Sequence, residues 1–370
     1  MSKINIRWDI VCEHKMMVKL FFAFILHPMK KVAVIICLLI SIPGFTQIGG
    51  SGVFTLPKQA SNARQLAWCG TNVAYENRDI TNALNNPAMV NENSLMRPAM
   101  NINSQVPGVW SGNAGMGVKY KKWFISGQVM YIDWGKFDTY DAGGNALGVT
   151  NANEMLIGAT AARQINDRLK LGAGLKMAYS VLGPYIGNGV MLDIGGLYQA
   201  KDSTWTVGAA VRNAGFMIST YNEHEKMPLG IEVGITIKPK HMPFRFNLSF
   251  HDLQTRDLTY SQYLKSNNIF DPTGSGFKEE ASFGEKLMRH FTFGGEIVLG
   301  KNFGILMGYN HQRRMELAPE LRKGVTGMGW GIDLKLSKFN LTYGSAAMFP
   351  GFNMNMFTVS AKIDDFKKDK

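Results

Sequence analysis

The chain has 370 residues and a formal charge of +12, from 40 Lys and Arg against 28 Asp and Glu. The basic residues form no clustered stripe, which argues against a nucleic-acid partner. Of its three cysteines only Cys69 lies beyond residue 46, so no disulfide framework, zinc site or redox pair is available.

Residues 1–28 carry Asp9, Glu13 and His14 and read as a non-native upstream extension, with translation starting at Met29. Residues 29–46 read as a secretory signal peptide. Met29-Lys30-Lys31 is the basic region, 32–42 the apolar region, and Gly44-Phe45-Thr46 the small-residue cleavage site. The apolar run is too short for a membrane-spanning helix. Removing residues 1–46 takes six basic and two acidic residues and leaves a mature chain at +8.

Residues 47–98 do not alternate. They hold Leu56-Pro57, a stretch around Ala63-Arg64 that suits a short helix, and Asn86-Pro87-Ala88. From residue 99 to the end, apolar side chains alternate with small or polar ones. Phe244, Phe246, Leu248 and Phe250 share one parity; Arg245, Asn247, Ser249 and His251 share the other. A strand turns successive side chains to opposite faces, so one face is greasy and the other wet.

Fourteen such strands are predicted, over 99–105, 114–121, 123–134, 151–164, 168–181, 187–200, 203–213, 228–238, 243–251, 290–300, 302–312, 325–337, 338–345 and 352–363. The turns after even strands are short and polar, as at Lys121-Lys122 and Asn166-Asp167. Those after odd strands are mostly long, above all 252–289. A soluble β-sandwich also alternates, but these spans are nearer the length of a tilted membrane strand than of a soluble one. The predicted fold is an all-β, 14-stranded antiparallel transmembrane barrel over 99–370, with both termini periplasmic. A barrel this wide needs filling, so 47–98 is expected to be a luminal plug or hatch. Trp123, Tyr131, Trp205, Tyr309 and Tyr343 are candidates for an interfacial girdle.

No catalytic chemistry emerges. His224, His241, His251, His290 and His311 are scattered, and there is no HExxH, CxxC or Gly-x-Ser-x-Gly. No cofactor or metal is expected, and the chain is not read as an enzyme. Gly327-Met328-Gly329-Trp330-Gly331 sits in an alternating strand, where small inward residues make room for the plug. The outer loops are the candidate partner surface: Tyr260, Tyr263 and Phe270 in one, Arg313, Arg314 and Arg322 in the next.

Several ordered motifs carry a resemblance. Leu56-Pro57, Ala63-Arg64, Leu66-Ala67, Gly70 and Asn86-Pro87-Ala88 resemble the opening of FadL-related outer-membrane barrels. Together with 248–254, Asp257-Leu258-Thr259-Tyr260, Arg289-His290, 308–314 and Ser337-Lys338-Phe339 they resemble the PorQ family of the Bacteroidetes type IX secretion system more closely. The resemblance covers most of the mature chain. It departs at Trp68-Cys69, where smaller residues are expected, and at the tail 366–370, which runs past the last strand. It implies a non-catalytic barrel that holds a PorZ-like surface protein. That complex also contains a PorU-like sortase and a PorV-like shuttle barrel, and it attaches cargo to lipopolysaccharide. The alternative reading is a FadL-like channel for hydrophobic small molecules, in which residues 47–98 act as a movable hatch.

Overall fold

A computed structural model describes residues 54–105, 108–141, 143–221, 226–259, 281–317 and 324–366. The predicted upstream extension and signal peptide lie outside them, as do Tyr260, Tyr263, Phe270 and Arg322.

Fourteen strands form one closed antiparallel barrel in which each strand pairs with its chain neighbours and β1 pairs with β14. They are β1 Ala99–Ser104, β2 Trp110–Tyr120, β3 Trp123–Tyr140, β4 Ala146–Gln164, β5 Leu169–Leu182, β6 Tyr185–Gln199 and β7 Trp205–Ser219. The others are β8 Gly230–Ile237, β9 Phe244–Phe250, β10 Phe291–Leu299, β11 Phe303–Asn310, β12 Met328–Lys335, β13 Phe339–Phe349 and β14 Phe352–Ala361. Closure leaves no edge of unpaired backbone groups, which hydrocarbon does not tolerate.

The predicted parity is the observed one, and it is inverted relative to a soluble protein. The apolar set faces outward: Met177 is 58% exposed, Ile194 57% and Phe246 53%. Their chain neighbours Lys176, Asp193 and Asn247 are 1%, 0% and 4% exposed. An oily outer wall around a polar interior makes sense only with lipid outside.

Two boundary differences are physical. β3 and β4 run on past the predicted ends as a hairpin whose outer part, such as Leu147 and Val149, is exposed. β7 likewise continues to Ser219, with a register irregularity where Leu192 pairs with Ala214 and Ile194 with Val211. Beyond the bilayer nothing enforces alternation, so pattern alone ends these strands too early. The predicted long connection 135–150 is therefore mostly strand. The outer connections instead carry two short helices, α2 Phe283–Arg289 and α3 His311–Leu317.

Residues 54–98 lie inside the wall. They form a 3-10 turn at Leu56–Lys58, helix α1 Ala63–Ala67, and 3-10 turns at Ile80–Leu84 and Pro87–Met89. Asparagine and aspartate start three of these pieces. Asn62 accepts a hydrogen bond from the Gln65 N–H, Asp79 from that of Thr81, and Asn86 from that of Ala88. Such side-chain caps replace the ladder bonds that a segment without a sheet partner lacks.

Candidate functional site

The lumen, with the segment that fills it, is where the unusual chemistry lies. On one side the plug is held by charge. Arg64 of α1 reaches Glu296 of β10 and Asp333 of β12, each at 2.9 Å, and all three side chains are under 5% exposed. Arg245 of β9 also pairs with Glu296. The Arg64 guanidinium lies 5.4 Å from the Trp68 ring and 5.2 Å from the Tyr75 ring. Arg64 fits this place because its planar fork serves two carboxylates while its faces stack on aromatics. Trp68 donates its indole N–H to the Gly295 carbonyl at 3.1 Å.

Further bonds run round the circumference. Glu154 of β4 accepts from the backbone N–H groups of Thr55 and Leu56 at 2.9 and 3.1 Å. Arg212 of β7 pairs with Glu232 at 2.8 Å and donates to the Pro57 carbonyl at 3.0 Å. Lys176 of β5 donates to the Leu84 carbonyl, Asn113 of β2 to that of Ser61, and Asn310 of β11 to that of Cys69. Thr358 of β14 accepts from the Ala63 N–H, and Lys170 pairs with Glu76.

Wall glycines give the plug backbone room. A Cβ at Gly344 would strike the Ala63 carbonyl, one at Gly308 the Ala67 carbonyl and Trp68, and one at Gly208 the Val73 carbonyl. Gly329 and Gly331, from the glycine run in β12, both abut Ala67. At the Asn-Pro-Ala motif a Gly172 Cβ would lie 2.6 Å from the Ala88 nitrogen, and one at Gly195 would collide with Asn86. Asn86 donates to the carbonyls of Val73 at 2.8 Å and Gly196 at 3.1 Å, so its amide ties the plug to itself and to β6.

The opposite side adds an apolar sector to these bonds. Phe54, Leu56 and Leu84 of the plug pack on Met130, Ile132, Leu156, Ala178, Met191 and Met217, with Met227 above them. Methionine suits an irregular apolar surface of this kind.

The outer rim holds the remaining candidates. Arg314 donates to the Gly324 and Thr326 carbonyls at 3.2 and 3.3 Å, tying its own loop together. Arg313 turns inward and lines a cavity of about 320 Å³ above the plug, with Pro57, His251 and Asp252 among its neighbours. Helices α2 and α3 meet through Glu285, which lies 3.0 Å from His311 and 3.2 Å from Arg289. Cys69 is buried against Gly329, and burial pushes its thiol up to about 11, so it is no nucleophile. Trp68 and Cys69, larger than expected there, are accommodated by Gly294 and Gly329. Among the described residues no cluster of His, Cys, Asp and Glu suits a metal ion.

Glu232, Glu296 and Asp333 take inward positions of their alternating strands, and the sequence alone gives them no role. Their signal was present: an isolated carboxylate facing into a barrel demands a partner.

These features define the class: an outer-membrane-type β-barrel with its own N-terminal segment packed in the lumen. No protein-family model matches the chain, and no curated protein does. Solved barrels are similar at low identity. The Pseudomonas putida toluene transporter TodX is 9% identical with a TM-score of 0.45, covering 81% of this chain and 96% of its own. The CymD monoaromatic hydrocarbon channel is 11% identical with a TM-score of 0.49, covering 81% and 96%. A Pseudomonas aeruginosa FadL homologue is 10% identical with a TM-score of 0.43, covering 81% and 97%. Two of these names are hydrocarbon transporters and none is a secretion component. At such scores the likeness carries no argument about cargo.

Proposed function

We propose that this protein is a sealed, non-catalytic barrel that works as an anchor in the outer membrane. The observation that carries this reading is the plug's attachment: hydrogen bonds and buried ion pairs join it to β2, β4, β5, β6, β7, β10, β11, β12 and β14. A hatch that moved to pass a solute would break most of these at once, and each broken buried ion pair costs about 3–5 kcal/mol. With the lumen closed, function falls to the outer rim.

The motif resemblance supplies the setting: a type IX attachment complex of a Bacteroidetes-like Gram-negative bacterium, with both termini periplasmic. There the barrel holds a PorZ-like surface protein beside a PorU-like sortase and a PorV-like shuttle barrel, near lipopolysaccharide. Affinity capture from native outer membranes tests it. Recovery of a PorZ-like or PorU-like protein with the tagged barrel is expected. Their absence, with the barrel intact, overturns the reading.

A second reading, a FadL-like channel for hydrophobic small molecules, is favoured by the methionine-rich apolar sector around Met130, Met191 and Met217. It predicts that liposomes carrying the barrel take up a monoaromatic hydrocarbon faster than empty ones, and that cross-linking the plug to the wall stops this. Equal uptake with and without the barrel removes it.

A further inference from the structure

Above the plug, at the long-loop rim, the cavity of about 320 Å³ is lined by Lys58, Arg212, Glu232, His251, Asp252 and Arg313. The charges there do not cancel. Arg212 is matched by Glu232 at 2.8 Å. Asp252 lies against the His251 ring, whose Nδ1 is 3.0 Å from Oδ2 of the carboxylate, and feels the Lys58 charge. Arg313 and Lys58 have no carboxylate within ion-pair distance among the described residues. Nη1 of Arg313 is buried with no hydrogen-bond partner, and so is Nε2 of His251, a residue only 8% exposed.

Native interiors satisfy nearly all buried polar groups, and a half-buried guanidinium with one enclosed nitrogen and no paired carboxylate is an exception. Burial pulls the Arg313 pKa below its ordinary value, the mark of a cation short of a counter-charge. Across the same cavity Asp252 holds the His251 ring by Nδ1, and the ring's Nε2 sits in the cavity wall without a partner. Arg313 itself is steadied from behind, since its backbone N–H donates to Oδ1 of Asn310 at 2.8 Å.

We propose that this outer vestibule binds a small anion bearing a carboxylate or phosphate group, gripped by the Arg313 fork and contacted by His251 Nε2. A guanidinium offers two parallel N–H donors matched to either group, and the cavity volume restricts the ligand to a small solute. The site stands apart from the anchoring role: a barrel that binds no partner can still hold the anion, and the reverse.

The test uses the full processed chain in detergent micelles, exchanged into chloride. Inorganic phosphate and citrate are titrated at constant ionic strength, with the thermal midpoint and calorimetric heat as readouts. A saturable rise in midpoint with one or both probes is expected, and the tighter probe identifies the group. Arg313→Gln weakens binding at least tenfold. Arg313→Lys, which keeps the charge and loses the fork, falls between. Lys240→Gln, at the opposite rim, binds as the parent does. Without any probe, Arg313→Gln melts no lower than the parent, because it removes an uncompensated charge. No difference between phosphate, citrate and chloride overturns the proposal, and so does undiminished binding by Arg313→Gln. Should Arg313→Gln not fold, His251→Asn takes its place: its binding is expected to weaken, and binding equal to the parent's overturns the proposal.

Discussion

The two sides of the lumen hold the same plug by different physics. On the β9–β13 side Arg64 is clamped between Glu296 and Asp333, and the backbone of α1 is pressed into glycine slots. On the β3–β7 side Phe54, Leu56 and Leu84 lie on an apolar, methionine-rich wall. The first side is directional and intolerant of change. The second adds non-directional apolar packing, which can repack, to the bonds that Glu154, Lys176 and Arg212 make to the plug backbone. The Arg64 clamp therefore fixes α1 on the first side, and apolar packing adds most of the adhesion on the second.

The largest test of that difference is Arg64→Ala. It leaves Glu296 to Arg245 alone and takes from Asp333 its nearest cation, and is expected to destabilise the barrel by about 3–5 kcal/mol, read as a lower urea midpoint. Adding Glu296→Gln and Asp333→Asn to it is expected to restore part of the loss. On the other side Leu156→Ala, at a position with 0% exposure, is expected to cost about 2–5 kcal/mol. That variant should still leave bilayers non-conducting, whereas Arg64→Ala leaks. If both variants leak equally, the division of labour is wrong.

A smaller effect separates the sides by pH. Burial raises the Asp79 carboxyl to about 6, against hydrogen bonds from Thr81 and the nearby Arg64 charge. Its folded pKa lies above the unfolded value, so its contribution to stability is full below about pH 4 and is lost as pH rises through about 6. The barrel should melt higher at pH 4.5 than at pH 7 by this term, and Asp79→Asn should flatten that part of the profile. The smallest signal is chemical. Cys69, with its buried thiol at about 11, is expected to resist maleimide in the native barrel. It should label in Arg64→Ala before it labels in Leu156→Ala, since α1 leads directly into it. Labelling in the unmodified barrel would show that the charged side already opens.

Much of this was legible in the sequence. The two-residue rhythm is enforced by lipid, so strand number, facing and the wall glycines of β12 were readable wherever the bilayer reaches. The plug's short helix was readable from composition. The partners of Arg64 were not: Glu296 and Asp333 lie far along the chain, and only closure of the barrel brings them together. The hairpin ends of β3 and β4 and the inward turn of Arg313 escaped for the related reason that no membrane patterns the rim. Arg313, a partner candidate by sequence, lines the vestibule.

The seam where the cylinder closes joins the two ends of the described chain. The Ala361 N–H bonds to the carbonyl of Pro98, and that of Ile363 to Met96, so the end of the chain is stitched to the residues that lead out of the plug. The last strand and the exit of the plug thus share one junction, so loosening either end of the chain is expected to loosen the other.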